Sequence, residues 1–98
     1  MRMFRVGGYN GPVTIYTKSG DEIAHAGCRS SADQDYDGGP SQWTGELRHI
    51  SPPTVVEAGI YQVQFPTGER GDIQVRPLAA DRVFAYFHGV GSHPLYRV

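Results

Sequence analysis

The hydrophobic positions of this chain recur at every second residue, in short runs that clusters of Gly, Pro, Asn and Asp interrupt. The clearest run contains Tyr61, Val63 and Phe65, which alternate with mostly polar neighbours and precede a turn at Pro66-Thr67-Gly68. The same alternation resumes after the turn. A period of two is typical of strands that have one buried and one solvent-facing side. Residues 60–76 are therefore predicted to form an antiparallel hairpin.

Two short strands and a tight hairpin are predicted near the start of the chain. A strand over residues 3–6 is expected to end in a turn at 9–12, because Asn10-Gly11 is a strong hairpin signal. A second strand follows from Val13, and residues 23–27 return antiparallel to it after a second tight turn. Three strands are thus expected before residue 28.

The only tryptophan of the chain marks a further strand after residue 42. Trp43, Leu47 and His49 share one parity, and Trp43 and Leu47 are predicted to point into the core. Pro52-Pro53 ends the strand, because proline has no N–H to donate to a neighbouring strand. This strand is expected to supply the largest core side chain.

These elements predict a single all-β domain over residues 1–98. Six or seven mostly antiparallel strands fit a small barrel, SH3-like, OB-like or otherwise partly open, since barrel closure hides strand edges. A compact β-sandwich is the alternative. The predicted core consists of Val13, Ile15, Trp43, Leu47, Tyr61, Val63, Phe65, Ile73, Val75 and one parity of Val83–His88.

The composition agrees with a β fold and limits the kinds of partner and the cellular location that we expect. The 98 residues include 13 Gly and 7 Pro, which is too many for a mainly helical chain. Nine basic and ten acidic residues give a formal charge of −1 at pH 7, which disfavours nucleic acid and anionic membranes as partners. The single cysteine and the lack of a signal-like or membrane-spanning apolar run lead us to expect a cytoplasmic location.

A polar segment at about 28–42 lacks an apolar period and is predicted to be a long loop, a kind of element that often carries function. Within it, Asp33, Asp35 and Asp37 have the spacing that opens a calcium-binding loop. The twelfth position of that motif is Thr44, where a bidentate acidic residue should close the site. No cofactor is expected, and a weak Ca²⁺ or small-ligand module that uses the loop Asp33–Gly38 is one alternative function.

The segment Val83–His88 is apolar on both parities, so a strand there is either central or covered by a partner. Phe84, Tyr86 and His88 share one parity, and aromatic residues and arginine are common at protein interfaces. With Arg48, these three residues are the predicted binding site. The first functional hypothesis is thus a non-enzymatic binding or assembly module that contacts a protein partner or a second copy of itself.

A small metal-dependent enzyme is the remaining hypothesis. It requires convergence among His25, His49, His88 and His93, but the sequence contains no close histidine pair and no paired cysteines. Cys28 has no basic or histidine neighbour in sequence and is predicted to be a small buried residue rather than a nucleophile. Enzymatic activity is left open and disfavoured.

Overall fold

The computed structural model of the protein describes residues 3–35, 42–52, 57–77, 84–91 and 93–95. The described residues form six antiparallel strands: β1 (Met3–Thr17), β2 (Glu22–Asp35), β3 (Gln42–Ser51), β4 (Gly59–Gln64), β5 (Arg70–Pro77) and β6 (Phe84–Val90). They close into a barrel in the order β1-β2-β3-β6-β5-β4. The predicted small antiparallel barrel is confirmed, and the alternative sandwich is not adopted. Nothing helical in these ranges has the length and hydrophobicity needed to cross a membrane.

One continuous hydrophobic core fills the barrel. Its buried residues are Val13, Ile15, Ala24, Ala26, Cys28, Ala32, Trp43, Leu47, Ile50, Val63, Phe65, Ile73, Val75, Ala85 and Phe87. Trp43 is only 1% exposed and meets the ring of Phe87 edge to face at 5.4 Å. The predicted core is confirmed apart from Tyr61, which is only partly buried and packs against the core from its side.

The turn predicted at 9–12 is wrong, because β1 runs without interruption from Met3 to Thr17. The chain instead reverses after Thr17, where Gly20 adopts φ 98° and its N–H donates to the Thr17 carbonyl at 2.9 Å. Pro12 is tolerated inside β1 because β4 pairs with this strand only from Thr14 onward. The pairing of Asn10 and Gly11 with β2 outweighs their local preference for a turn.

The loop predicted at about 28–42 is also wrong in its first half, because residues 28–35 continue β2 and residues 28–33 pair with β3. The inward positions of this strand carry small side chains, Cys28, Ser30 and Ala32, all of them buried. Small residues give no strong hydrophobic alternation, although they leave the space that rings from β3 and β6 occupy. The strand is therefore present without the large apolar residues that usually reveal one.

His49 does not share the inward face of Trp43 and Leu47, as its parity predicts, but is exposed. Between the pairs Gly27–Arg48 and His25–Ser51, β3 advances one residue more than β2, which is a β-bulge. His49 adopts φ 53° there. The extra residue reverses the parity, so Ile50 turns into the core.

Glycines at inward positions make room for the large rings. A Cβ at Gly89 would lie 1.9 Å from the Trp43 indole, and a Cβ at Gly45 would lie 2.6 Å from the Phe87 ring. At Gly71 the obstacle is Pro94, at 2.5 Å. Because both His93 and Pro94 are buried, the segment 93–95 packs into the barrel alongside the indole.

Candidate binding groove

The outer face of β6 carries apolar side chains that are not part of the core. Tyr86 and Val90 are 48% and 54% exposed, and His88 lies between them on the same parity. Phe84 is half-buried, and its ring meets that of Tyr86 edge to face at 5.2 Å. Since β6 is paired with β3 on one side and β5 on the other, this stripe lies in the middle of a sheet.

Strand register places charged residues on both sides of Tyr86. Glu46 on β3 and Arg76 on β5 are its direct neighbours, and Arg29 on β2 is the neighbour of Glu46. The four residues thus form one transverse row, Arg29–Glu46–Tyr86–Arg76, across four adjacent strands. We call it the arginine row. His88 belongs to the next row, beside Thr44.

A groove of about 630 Å³ follows this surface. Among the described residues, its charged walls are formed by Arg5, Arg29 and Arg76 against Glu46 alone. The carboxylate of Glu46 is bonded to the guanidinium of Arg48, so its charge is already compensated. The groove is therefore electropositive, although the whole chain has a formal charge of −1.

The structure brings together part of the predicted binding site. Tyr86 and His88 line the groove, while Phe84 supports the tyrosine ring from beside it. Arg48 does not line the groove and acts there through its bond to Glu46. The predicted binding site did not include Arg29 or Arg76, because their proximity to Tyr86 depends on register across four strands.

The predicted calcium ligands do not form a loop in the described residues. Asp33 and Asp35 are both in β2, where they pair with Arg5 and Met3 of β1. Extended backbone at these positions differs from the tight turn that the calcium motif requires. Asp37 lies outside the described residues.

The four histidines are divided among three places. His25 and His49 line a separate cleft of about 660 Å³, His88 lines the groove, and His93 is buried in the barrel. Within the described ranges, no three His, Cys, Asp or Glu side chains are grouped so that they could hold a metal ion.

The cleft brings His25 near two possible partners. Its Nδ1 is 3.4 Å from Thr14 Oγ1, and its Nε2 is 3.8 Å from the carboxylate of Glu22. The histidine and glutamate side chains are 66% and 56% exposed. Water therefore competes for both contacts, and the geometry is too open to activate a hydroxyl.

His93 is fully buried and joins a small polar network inside the barrel. Its Nδ1 accepts a hydrogen bond from the Leu95 N–H at 3.1 Å, so the proton of the neutral ring lies on Nε2, which donates to Ser30 Oγ at 3.0 Å. Burial lowers the pKa of His93 to about 4. This network fixes the segment 93–95 to β2 with an uncharged imidazole.

Cys28 extends the same network and is not an accessible nucleophile. Burial raises the pKa of its thiol to about 12, an effect that the hydrogen bond with Ser30 only partly offsets. A thiol that stays protonated at neutral pH is a poor nucleophile and a poor metal ligand. The interpretation of Cys28 as a small buried residue agrees with this environment.

Comparisons of the chain with protein-family models, with curated proteins and with solved structures give no match.

Proposed function

We propose that this protein is a non-enzymatic binding module and that its groove takes an acidic segment of a protein partner. The observation that carries the proposal is the arginine row, in which an exposed tyrosine ring lies between two exposed arginines. Tyrosine supplies a large contact area at little entropic cost, and arginine pairs with carboxylates through two N–H groups. An acidic segment with an apolar side chain complements both features.

The surface favours protein over single-stranded nucleic acid. Proteins that bind single strands stack successive bases on several aromatic rings within a strongly basic groove. Here the described groove exposes one large ring, that of Tyr86, and the smaller imidazole of His88, while Phe84 is half-buried beside the tyrosine. The exposed Val90 extends the stripe with an aliphatic side chain, which suits a protein contact and offers a base nothing to stack on.

The test is a selection of short random peptides on the immobilised protein, followed by affinity measurements with the winning peptides. We expect acidic sequences that lose affinity for Arg76→Gln and Tyr86→Ala. Lys18→Gln is the matched control, because it removes one positive charge from an exposed turn outside the groove.

Two results would contradict the proposal. One is a set of selected peptides that is not acidic or that binds both groove variants as well as the parent. The other is a single-stranded oligothymidine that binds the groove more tightly than every selected peptide. That result would identify the surface as a nucleic-acid binding site.

Self-association is the special case in which the partner is a second copy of the chain. Light scattering over a range of concentrations then shows a dimer or larger particle, and Arg29→Gln with Arg76→Gln returns it to a monomer. A particle that persists in this double variant would show that self-association uses another surface.

A further inference from the structure

We infer that the groove selects acidic segments by the spacing of their charges, with two carboxylates roughly four residues apart and an apolar residue between them. The inference rests on the proposed function above and specifies the partner sequence that the same groove recognises. It follows from the geometry of the arginine row.

The two arginines of the row are separated by a distance that the sheet fixes. Arg29 is on β2 and Arg76 is on β5, with β3 and β6 between them. Neighbouring strands lie about 4.8 Å apart, so three spacings place the two residues roughly 14 Å apart along the surface. Both side chains are exposed, and both line the groove.

A bound segment has to cross the strands here rather than join them. Around Tyr86 the backbone of β6 is already paired with β3 and β5, so a peptide strand cannot be added to the sheet at the middle of the row. An extended segment that crosses the row advances about 3.3 Å per residue and covers roughly 14 Å in about four residues. Its two carboxylates then reach the arginines at the ends of the row.

The middle of the row determines what lies between the two carboxylates. At the centre of the row, the carboxylate of Glu46 is bonded to the guanidinium of Arg48, so the positive charge of Arg48 is compensated and does not attract a further carboxylate. Tyr86, 48% exposed, is the other central residue and provides an apolar surface. A leucine or similar side chain midway between the two acidic residues packs on this ring, whereas a third carboxylate there would face Glu46.

The experiment uses labelled peptides of equal length and equal composition. Each contains two glutamates and one leucine in a Gly/Ser background, with the glutamates adjacent, four apart or eight apart. Fluorescence anisotropy at low ionic strength measures their affinity for the full chain. We expect the four-residue spacing to bind about fivefold more tightly than the other two, which corresponds to one well-placed exposed ion pair.

Variants show whether the row itself measures the spacing. In Arg29→Gln and in Arg76→Gln only one charged end remains, so the three peptides should bind equally, at the level of the weaker peptides. Lys18→Gln should keep the full preference of the parent. Circular dichroism and thermal melting confirm that each variant is folded.

The failure of this inference is distinguishable from the failure of the proposed function. If all three peptides bind equally to the parent and still depend on Tyr86 and Arg76, the spacing rule is wrong and the acidic-segment function stands. If a preference for the four-residue spacing survives in both arginine variants, the rule does not arise from this row. If none of the peptides binds and selection yields no acidic sequence, both proposals fail.

Discussion

The side chains on the two faces of strand β6 have different roles, because one face is part of the core and the other is exposed. Ala85 and Phe87 point inward and are buried, and Gly89 leaves the space that Trp43 fills. Tyr86 and His88 point outward and are exposed. Neighbouring residues on one strand thus belong either to a close-packed interior, where volume matters, or to an open groove, where charge and an exposed ring matter. Substitutions on the two faces should therefore affect different properties of the protein.

The largest expected effect is on the inner face, at Trp43. Trp43→Ala removes a 1% exposed indole that packs against Phe87 and His93. We expect a loss of roughly 3–5 kcal/mol in the free energy of unfolding, close to the total stability of many small domains. Urea or thermal unfolding followed by circular dichroism measures it. A variant that melts within a few degrees of the parent would contradict this account of the core.

The next effect depends on pH and comes from the buried His93. Its pKa is lowered from 6.5 to about 4 in the folded protein. Between these two pH values His93 is protonated in the unfolded chain but neutral in the folded protein. The free energy of unfolding therefore decreases as the pH falls from about 6.5 to 4. The contribution of this residue reaches about 3 kcal/mol. Urea unfolding at a series of pH values measures the slope.

Two variants separate the contribution of His93 to the pH dependence of stability from the contribution of the carboxylates. His93→Gln keeps an acceptor for the Leu95 N–H and a donor for Ser30 but does not titrate, so its stability should depend less steeply on pH in this window. Val90→Ala, on the outer face of β6, removes no titratable group and should retain the slope of the parent. Equal slopes in the parent and in His93→Gln would refute the role assigned to the buried ring.

A smaller loss is expected where the inner face needs empty space. The Cβ of Gly89→Ala would lie 1.9 Å from the indole of Trp43, and the rings of Phe87 and His93 that pack against this indole restrict its movement. Overpacking of this kind costs about 2–3 kcal/mol. Val90→Ala, one residue along the strand and 54% exposed, is the control and should stay within about 0.5 kcal/mol of the parent. Similar melting temperatures for the two variants would show that the glycine is not required.

The sequence predicts those strands of the barrel in which large hydrophobic side chains alternate with polar ones at every second residue. Val63, Phe65, Ile73 and Val75 define the β4–β5 hairpin, and the structure confirms them. The part of β2 after Gly27 escapes notice because its inward residues are small, a size that suits the large rings of β3 and β6 in the same core. Alternation of small residues such as Ala24, Ala26 and Cys28 is the signal that could have revealed this strand.

Register explains why the candidate site was only partly predicted. The aromatic stripe of β6 lies within one short segment, so Tyr86 and His88 could be chosen from the sequence. Arg29 and Arg76 are 47 positions apart in the chain and become part of one row only after β2, β3, β6 and β5 have paired. The β3 bulge shifts the pairing near His49 by one residue, and parity alone does not indicate it.

A smaller loss of stability than for Gly89→Ala, and the sharpest separation of the two faces, is expected for Tyr86→Ala. The ring is 48% exposed and contacts Phe84, so its loss should lower the free energy of unfolding by no more than about 0.5–1 kcal/mol. Affinity for acidic peptides should nevertheless fall by about tenfold or more, as it does when a central interface aromatic is removed. Parallel thermal melting and anisotropy measurements test both halves on one sample. If Tyr86→Ala lost as much stability as Gly89→Ala, or kept the affinity of the parent, the outer face of β6 would be part of the scaffold and not a surface kept for recognition.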